Sequence, residues 1–401
     1  MEPDEARMVD LSEGSDRNSE SSARAALKKA RRIVVKIGTN TLMARSESNP
    51  SHGSSRKASG GIDVEYIHRT AGALSDLSRE GREFLLVSSG AVGIGARELG
   101  MTRRPRDIKV RQACAAIGQP ILMDEYRRAF DVYGIVIAQL LVTRDAWNRR
   151  DAYLNLRNTV DTLLQRRVLP IFNENDSVST SEIAFGDNDQ LSAFVASKID
   201  ADLLILLSDV DALYEANPRI HPEARKISYV GELDPDIFAA AGDRGTEFST
   251  GGMRTKLEAV RIARDAGCRV VLAHGRTSGV IHCILSGQPV GTLFDSSGRL
   301  RNRERWIKHT RPAGSILVDN GALEALRQNR SLLPRGVIGV EGTFRRGDVV
   351  LVNGLAKAVV CLSSEDLLSV RGLRSDRMED VLGEGSVRVV ARSEDVVFLD
   401  R

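Results

Sequence analysis

Val168-Leu169-Pro170-Ile171-Phe172-Asn173-Glu174-Asn175-Asp176 begins as an apolar run and ends in amides and acids. The run has the length of a buried strand, and its polar end falls where such a strand leaves the core. Further on, Gly186-Asp187-Asn188-Asp189 opens a segment in which Leu191, Phe194, Val195 and Ile199 recur at the spacing of a helix face. Leu203–Leu207 is apolar again and ends at Ser208-Asp209. Strand, helix and strand in this order predict parallel strands joined by a crossover.

The same pattern extends outward. Arg31–Ile37 reads as a buried strand closed by Gly38-Thr39, and a helix is predicted from Asp63 to Arg79 with Gly81 as its stop. The strand Glu83–Val87 leads into a Gly-rich turn, Ser88–Gly95. Helical segments are expected at Lys109–Ala116 and Ile121–Phe130, then a short strand at Gly134–Ala138 and a helix at Tyr153–Arg166. A helix at Met253–Ala266 feeds a strand at Arg269–Ala273. The fold class predicted is α/β, a mostly parallel open sheet sandwiched by helices.

From Ala313 the pattern changes. Short strands (Ser315–Val318, Gly336–Val340, Val349–Asn353, Ala358–Leu362, Val387–Val390, Val396–Leu399) alternate with Gly-containing turns, and one helix, Asn320–Arg327, interrupts them. This predicts a small C-terminal β-barrel. The expected organisation is a disordered tail over 1–28, an α/β domain over 29–308 with a flexible insert at 46–61, and the barrel over 313–401.

Composition narrows the function classes. The net charge of +3 over 401 residues gives no electrostatic reason to expect nucleic acid or an anionic membrane as a partner. Residues 313–401 carry 12 Lys and Arg against 13 Asp and Glu, without the basic excess of a phosphate-binding surface. Cys114, Cys268, Cys283 and Cys361 are scattered without metal-ligand or disulfide spacing, which fits a reducing cytoplasm. No apolar run approaches the ~20 residues of a membrane span. Met1–Ser22 is acidic and serine-rich with no apolar centre, unlike a signal peptide.

In an open α/β sheet, ligands bind beyond the carboxyl ends of the strands. Four features fall at such ends: Lys36-Ile37-Gly38-Thr39, Ser88-Ser89-Gly90, the Asn173–Asp176 cluster and Ser208-Asp209. A lysine inside an apolar strand can simply snorkel to solvent. It can also aim a fixed charge at a phosphate, with Gly38 letting the backbone approach. Ser249-Thr250-Gly251-Gly252-Met253-Arg254-Thr255-Lys256 runs from a flexible loop into a helix N-terminus, where free N–H groups favour an anion. Two lysines and two glycine loops resemble a polyphosphate cradle.

Other phosphate and metal motifs fit less well. G-x-x-x-x-G-K-[ST] is absent, and Glu98 occupies the third glycine position after Gly93-Ile94-Gly95. Neither cluster has the alternation of a calcium loop. Asx turns and a helix cap account for Asp187 or Asp189, but not for a polar strand end at Asn173–Asp176. A two-metal site using Asp176, Asp187 and Asp189 stays open, although the interleaved amides argue against it. Carboxylates beside side-chain amides suit a ligand bearing both an ammonium and a carboxylate, which is an amino acid.

Val35-Lys36-Ile37-Gly38-Thr39, Ser88-Ser89-Gly90-Ala91, Ile171–Asp176, Gly186–Asp189, Leu207-Ser208-Asp209 and Thr250-Gly251-Gly252-Met253 occur in the order seen in the amino-acid kinase family, which the chain resembles from Arg31 to Ile307. Within the family the resemblance is to members that phosphorylate the side-chain carboxylate of glutamate at the start of proline biosynthesis. From Ala313 onward, including Ser331-Leu332-Leu333-Pro334 and Gly336, the chain resembles a PUA domain. The resemblance implies that Ser89, Asp176 and Asn188 hold L-glutamate, and that Lys36 and Lys256 face the transferred phosphoryl group with Asp189 orienting them. It also implies that Lys36, Gly38, Ser208, Asp209, Thr250, Gly251, Gly252, Met253, Arg254, Thr255 and Lys256 bind ATP. Mg2+ is the implied metal, with no protein ligand assigned to it. Proline as a feedback inhibitor and a homo-oligomer are further implications. Kinases of the same family acting on aspartate, acetylglutamate, carbamate or a nucleotide, and an RNA-binding role for the PUA-like part, are the alternatives.

Overall fold

The computed structural model describes residues 13–44, 61–103, 105–143, 150–178, 188–218, 220–234, 237–238, 252–296, 302–383, 385 and 387–399. Contacts divide the chain into two compact units, the second containing Leu300–Arg401.

The first half of the first unit comprises α1 (Glu13–Leu27), β1 (Arg32–Ile37), α2 (Thr39–Leu42), α3 (Val64–Arg79), β2 (Glu83–Ser88), α4 (Ala91–Glu98), α5 (Ile108–Asp131) and β3 (Ile137–Val142). The rest comprises α6 (Arg150–Gln165), β4 (Leu169–Glu174), α7 (Asn188–Lys198), β5 (Leu203–Ser208), β6 (Leu213–Tyr214), β7 (Lys226–Ile227), β8 (Tyr229–Val230), α8 (Met253–Arg264), β9 (Arg269–His274), α9 (Val280–Leu285) and β10 (Thr292–Phe294). The main sheet runs β3-β4-β2-β1-β5-β9-β10-β8, and only the β9–β10 pair is antiparallel.

Burial explains the central strands. Every residue of β4 and β5 is buried, and so is β1 after its first residue, as expected for strands covered on both faces. Val35, Ile37, Leu86 and Ile205 share one core with Ile67 and Leu74 of α3 and Leu122 and Tyr126 of α5. Pro170 has no N–H to give, and the β2–β4 ladder begins only at the next residue, with Leu86 opposite Ile171.

The structure differs from the sequence expectations at several points. Ser88–Gly95 is not one glycine turn, because α4 starts at Ala91. Gly95 of α4 and Gly118 of α5 serve helix packing instead. A Cβ on Gly95 would lie 1.9 Å from the Cys114 carbonyl oxygen, and one on Gly118 would lie 1.9 Å from that of Ala91. The backbones of α4 and α5 therefore touch. α5 is a single helix with Pro120 inside it rather than two segments, capped by the Asp107 carboxylate, which accepts from the N–H groups of Lys109 and Val110. β3 lies over Ile137–Val142, later than the expected Gly134–Ala138.

The expected disordered tail, 1–28, also needs correction. Its second half is α1, which buries Ala23 and Leu27 in the main core. Arg24 is buried and donates to the carbonyls of Ser228 (2.9 Å), Gln288 (3.1 Å), Val290 and Gly291. A window average dominated by Ser and Glu hides these few anchors.

The second unit contains α10 (Asn302–His309), β11 (Gly314–Val318), α11 (Asn320–Arg327), β12 (Val337–Gly342), β13 (Val349–Val352), β14 (Ala356–Val359), α12 (Ser364–Val370), α13 (Met378–Leu382) and β15 (Val396–Phe398). Its sheet order is β12-β11-β13-β14-β15, antiparallel except for β11 beside β13. Trp306 and Ile307 of α10 pack on Val349 and Val359, so α10 groups with this unit, not with residues up to 308 as the sequence suggested. Val387–Val390 forms no strand. It is tied by the Val390 N–H donating to Leu332 and the Leu332 N–H donating to Ala391. Among the described residues, no helix is long and apolar enough to cross a membrane.

Candidate active site

Because β1, β2, β4, β5 and β9 are parallel, their carboxyl ends share one edge of the sheet. Lys36 is the last residue but one of β1, paired in register with Val87 on one side and Leu206 on the other. β2 ends at Ser88, with Ser89 next in the chain, β4 at Asn173-Glu174, and β5 at Ser208. Helix α7 begins at Asn188 and brings two side chains to this edge, Asn188 and Asp189.

Asp189 is fully buried between two lysines. Lys36 Nζ pairs with Oδ1 at 2.5 Å, and Lys256 Nζ donates to Oδ2 at 2.8 Å. Burial alone would raise the Asp189 pKa, but the two ammonium groups override it and hold the carboxyl well below the usual range. Lys36 is 4% exposed and Lys256 8%, so neither is a snorkelling surface lysine. The trio carries a net positive charge in a nearly dry place, one cation beyond what its carboxylate neutralises.

On the other side of α7's first turn the groups are neutral. Asn188 Nδ2 shares its hydrogens among the Ser88 carbonyl (2.7 Å), Ser89 Oγ (2.9 Å) and Asn173 Oδ1 (2.9 Å). Asn173 Nδ2 in turn donates to Gln119 Oε1 of α5 at 2.7 Å. Tyr126, also on α5, shares a 2.9 Å hydrogen bond with the Ser88 hydroxyl beneath. Beyond β5, Asp209 accepts from Asn40 Nδ2 (2.9 Å) and from Ser208 Oγ (3.1 Å). Partial burial works to raise the Asp209 pKa, and these two hydrogen bonds, its own backbone N–H and the Lys256 charge together outweigh it, leaving the net shift downward.

The amino acid kinase family profile matches residues 31–274, and the PUA domain profile matches residues 314–382. The chain belongs to the amino acid kinase family. Among the relatives of this kinase is a protein named glutamate 5-kinase in Methanosarcina mazei, 43% identical over 92% of this chain and 96% of its own length. Another of that name, in Methanosarcina barkeri, is 44% identical over 92% of this chain and 97% of the relative. A bacterial one, in Geobacter sulfurreducens, is 43% identical over 89% and 94% respectively.

Of the residues the sequence nominated in this kinase, the structure joins Lys36, Asp189 and Lys256 in one group, and Ser89 and Asn188 in a second. Asp176 lies in the turn just past β4. Gly38 has φ −74, open to any residue, and a Cβ there would stand at ordinary contact distance, 3.6 Å from Lys36 Nζ and 3.4 Å from the Leu207 carbonyl oxygen. Gly252 precedes α8, and Met253, Arg254, Thr255 and Lys256 form its first turn, with Thr255 Oγ1 donating to the Gly252 carbonyl at 2.9 Å. Thr250, Gly251, Gly186, Asp187 and the 46–60 part of the insert lie outside the described residues.

Sequence reasoning missed Asn40, Gln119 and Tyr126. Asn40 carried a weak signal, an amide directly after the Gly38-Thr39 strand end. Gln119 and Tyr126 carried less, since a polar group on a buried helix face is noticed only once its partner is known.

Proposed function

We propose that this kinase transfers the γ-phosphoryl group of ATP to the side-chain carboxylate of L-glutamate, forming L-glutamyl 5-phosphate at the start of proline biosynthesis. The observation that carries this reading is the buried Lys36–Asp189–Lys256 group set beside a neutral amide cluster. Relatives that match nearly end to end and bear the name glutamate 5-kinase support the choice of acceptor. The free thiols of Cys114, Cys268, Cys283 and Cys361 suit a cytoplasmic setting.

A glutamate side chain, with a pKa of about 4.3, is already ionised at neutral pH, so the acceptor needs no general base. The barrier is the meeting of two anions. Lys36 and Lys256 supply fixed positive charge where the phosphoryl group passes, and Asp189 holds both ammonium groups so that neither must reorganise during transfer. Ser89, Asp176 and Asn188 hold the amino-acid end of glutamate. Gly252 and the first turn of α8 offer backbone N–H groups to the ATP phosphates, with Ser208 and Asp209 along the same strand edge.

The residues present fit Mg2+ only as a partner of the phosphates. The Asp189 carboxylate is occupied by two lysines, and no cluster of three His, Cys, Asp or Glu occurs among the described residues. Mg2+ held by phosphate oxygens and water would neutralise charge on the nucleotide.

Trapping the acyl phosphate with hydroxylamine tests the reading. L-Glutamate with ATP should give hydroxamate, and aspartate, N-acetylglutamate and carbamate should give little. A purified enzyme that left L-glutamate untouched while consuming one of the others would overturn it.

A further inference from the structure

The three amides Gln119, Asn173 and Asn188 have orientations fixed by their surroundings. A backbone carbonyl can only accept, so the Ser88 carbonyl 2.7 Å away identifies Nδ2 as the inward atom of Asn188. A backbone N–H can only donate, so the Glu174 N–H at 2.9 Å identifies Oδ1 as the Asn173 atom shared with Asn188. Asn173 must then turn Nδ2 toward α5, and Gln119 must meet it with Oε1. Asn173 and Gln119 are both buried. Reversing any one amide would set two donors or two acceptors face to face and leave polar groups unpaired.

The result is a head-to-tail chain in which each amide donates to the next. Its two ends differ. Asn188 Oδ1, an acceptor, is left over at one end, and Gln119 Nε2, a donor, at the other. Neither atom has a partner among the described residues. An α-amino acid carries the complementary pair, an ammonium that donates and a carboxylate that accepts.

We propose that Gln119 is a specificity-determining residue for the acceptor: the Gln119–Asn173–Asn188 chain recognises a free amino acid, Asn188 Oδ1 taking the ammonium and Gln119 Nε2 the α-carboxylate. The inference rests on the proposed function and deepens it, since it explains how a site can grip the α-carbon end of glutamate while leaving the side-chain carboxylate to the lysines. An acylated amine has no charge to offer Asn188 and one hydrogen instead of three.

Gln119→Glu tests the chain. The new carboxylate still accepts from Asn173 Nδ2, but the donor end becomes an anion. KM for L-glutamate should rise by about tenfold, the worth of one hydrogen bond to a charged group, with kcat and the ATP KM within about threefold. Two competitors locate the effect. The inhibition constant of glutarate, which keeps both carboxylates and lacks the ammonium, should rise in parallel with the glutamate KM. That of 4-aminobutyrate, which keeps the ammonium and lacks the α-carboxylate, should stay within about threefold.

An unchanged glutamate KM, or an equal rise for all three compounds, would overturn the proposal, the latter pointing to a merely structural role. Gln119→Met, which removes both polar atoms without adding charge, should reproduce the glutamate and glutarate shifts and serves if Gln119→Glu does not fold. Failure of the unsubstituted enzyme to consume L-glutamate would instead sink the proposed function, before any variant is compared.

Discussion

The two sides of α7's first turn solve the problem of a dry, polar site in opposite ways. At Asp189 the groups are charged, and one carboxylate restrains two cations. One residue earlier, at Asn188, the groups are neutral and are held by a chain of amides that ends on α5. On the proposed reading, strong, poorly directional charge stands where the reaction must stabilise charge. On the same reading, weaker but directional hydrogen bonds stand where a ligand must be recognised. Substitutions on the two sides should therefore fail in different kinetic parameters.

The largest effect is expected from Asp189→Asn, which leaves two buried ammonium groups facing each other. Breaking a buried ion pair from one side costs about 3–5 kcal/mol of stability, read by denaturant unfolding, and kcat should fall by about 100-fold or more. The Asp189 pKa is lowered on folding, so its contribution is complete above the unfolded value of about 3.9 and is lost as pH falls toward the folded one. The stability gap between the parent and Asp189→Asn should thus stay level from about pH 8 to pH 5 and close only below about pH 4. A gap that closed near neutrality would break the picture of a restrained carboxylate.

Lys36→Ala comes next. Steady-state kinetics should show kcat lower by about 100-fold, with the glutamate KM moving far less. Normal turnover would remove Lys36 from the charged side altogether. The smallest effect belongs to the recognition side: Asp176→Ala should raise the glutamate KM by about tenfold and leave kcat nearly intact. Were only ATP saturation altered, Asp176 would have to move across the boundary between the two sides.

How much of this was legible in the sequence depended on how local the cause was. β1, β4 and β5 could be read directly, because burial on both faces forces an unbroken apolar run within a few residues. Lys36 stood out against such a run. Gly95 of α4 misled, since what it accommodates is the backbone of α5, a contact that spacing alone does not announce. Likewise, Asn40 meets Asp209 across 169 positions, and nothing near either residue marks the pair. α1 was hidden because three anchors, Ala23, Arg24 and Leu27, sit within a polar segment.

The touching backbones of α4 and α5 bear on how this enzyme could change its diet. α4 grows from the Ser88–Gly90 strand end, and α5 presents Gln119 one residue after Gly118, where Cβ and main chain would collide. On the proposed reading, two walls of the acceptor pocket are therefore packed main chain against main chain. Easing the helices apart to admit a bulkier acceptor would give up that contact. Selection for a new substrate would have to rewrite side chains inside a frame of fixed width.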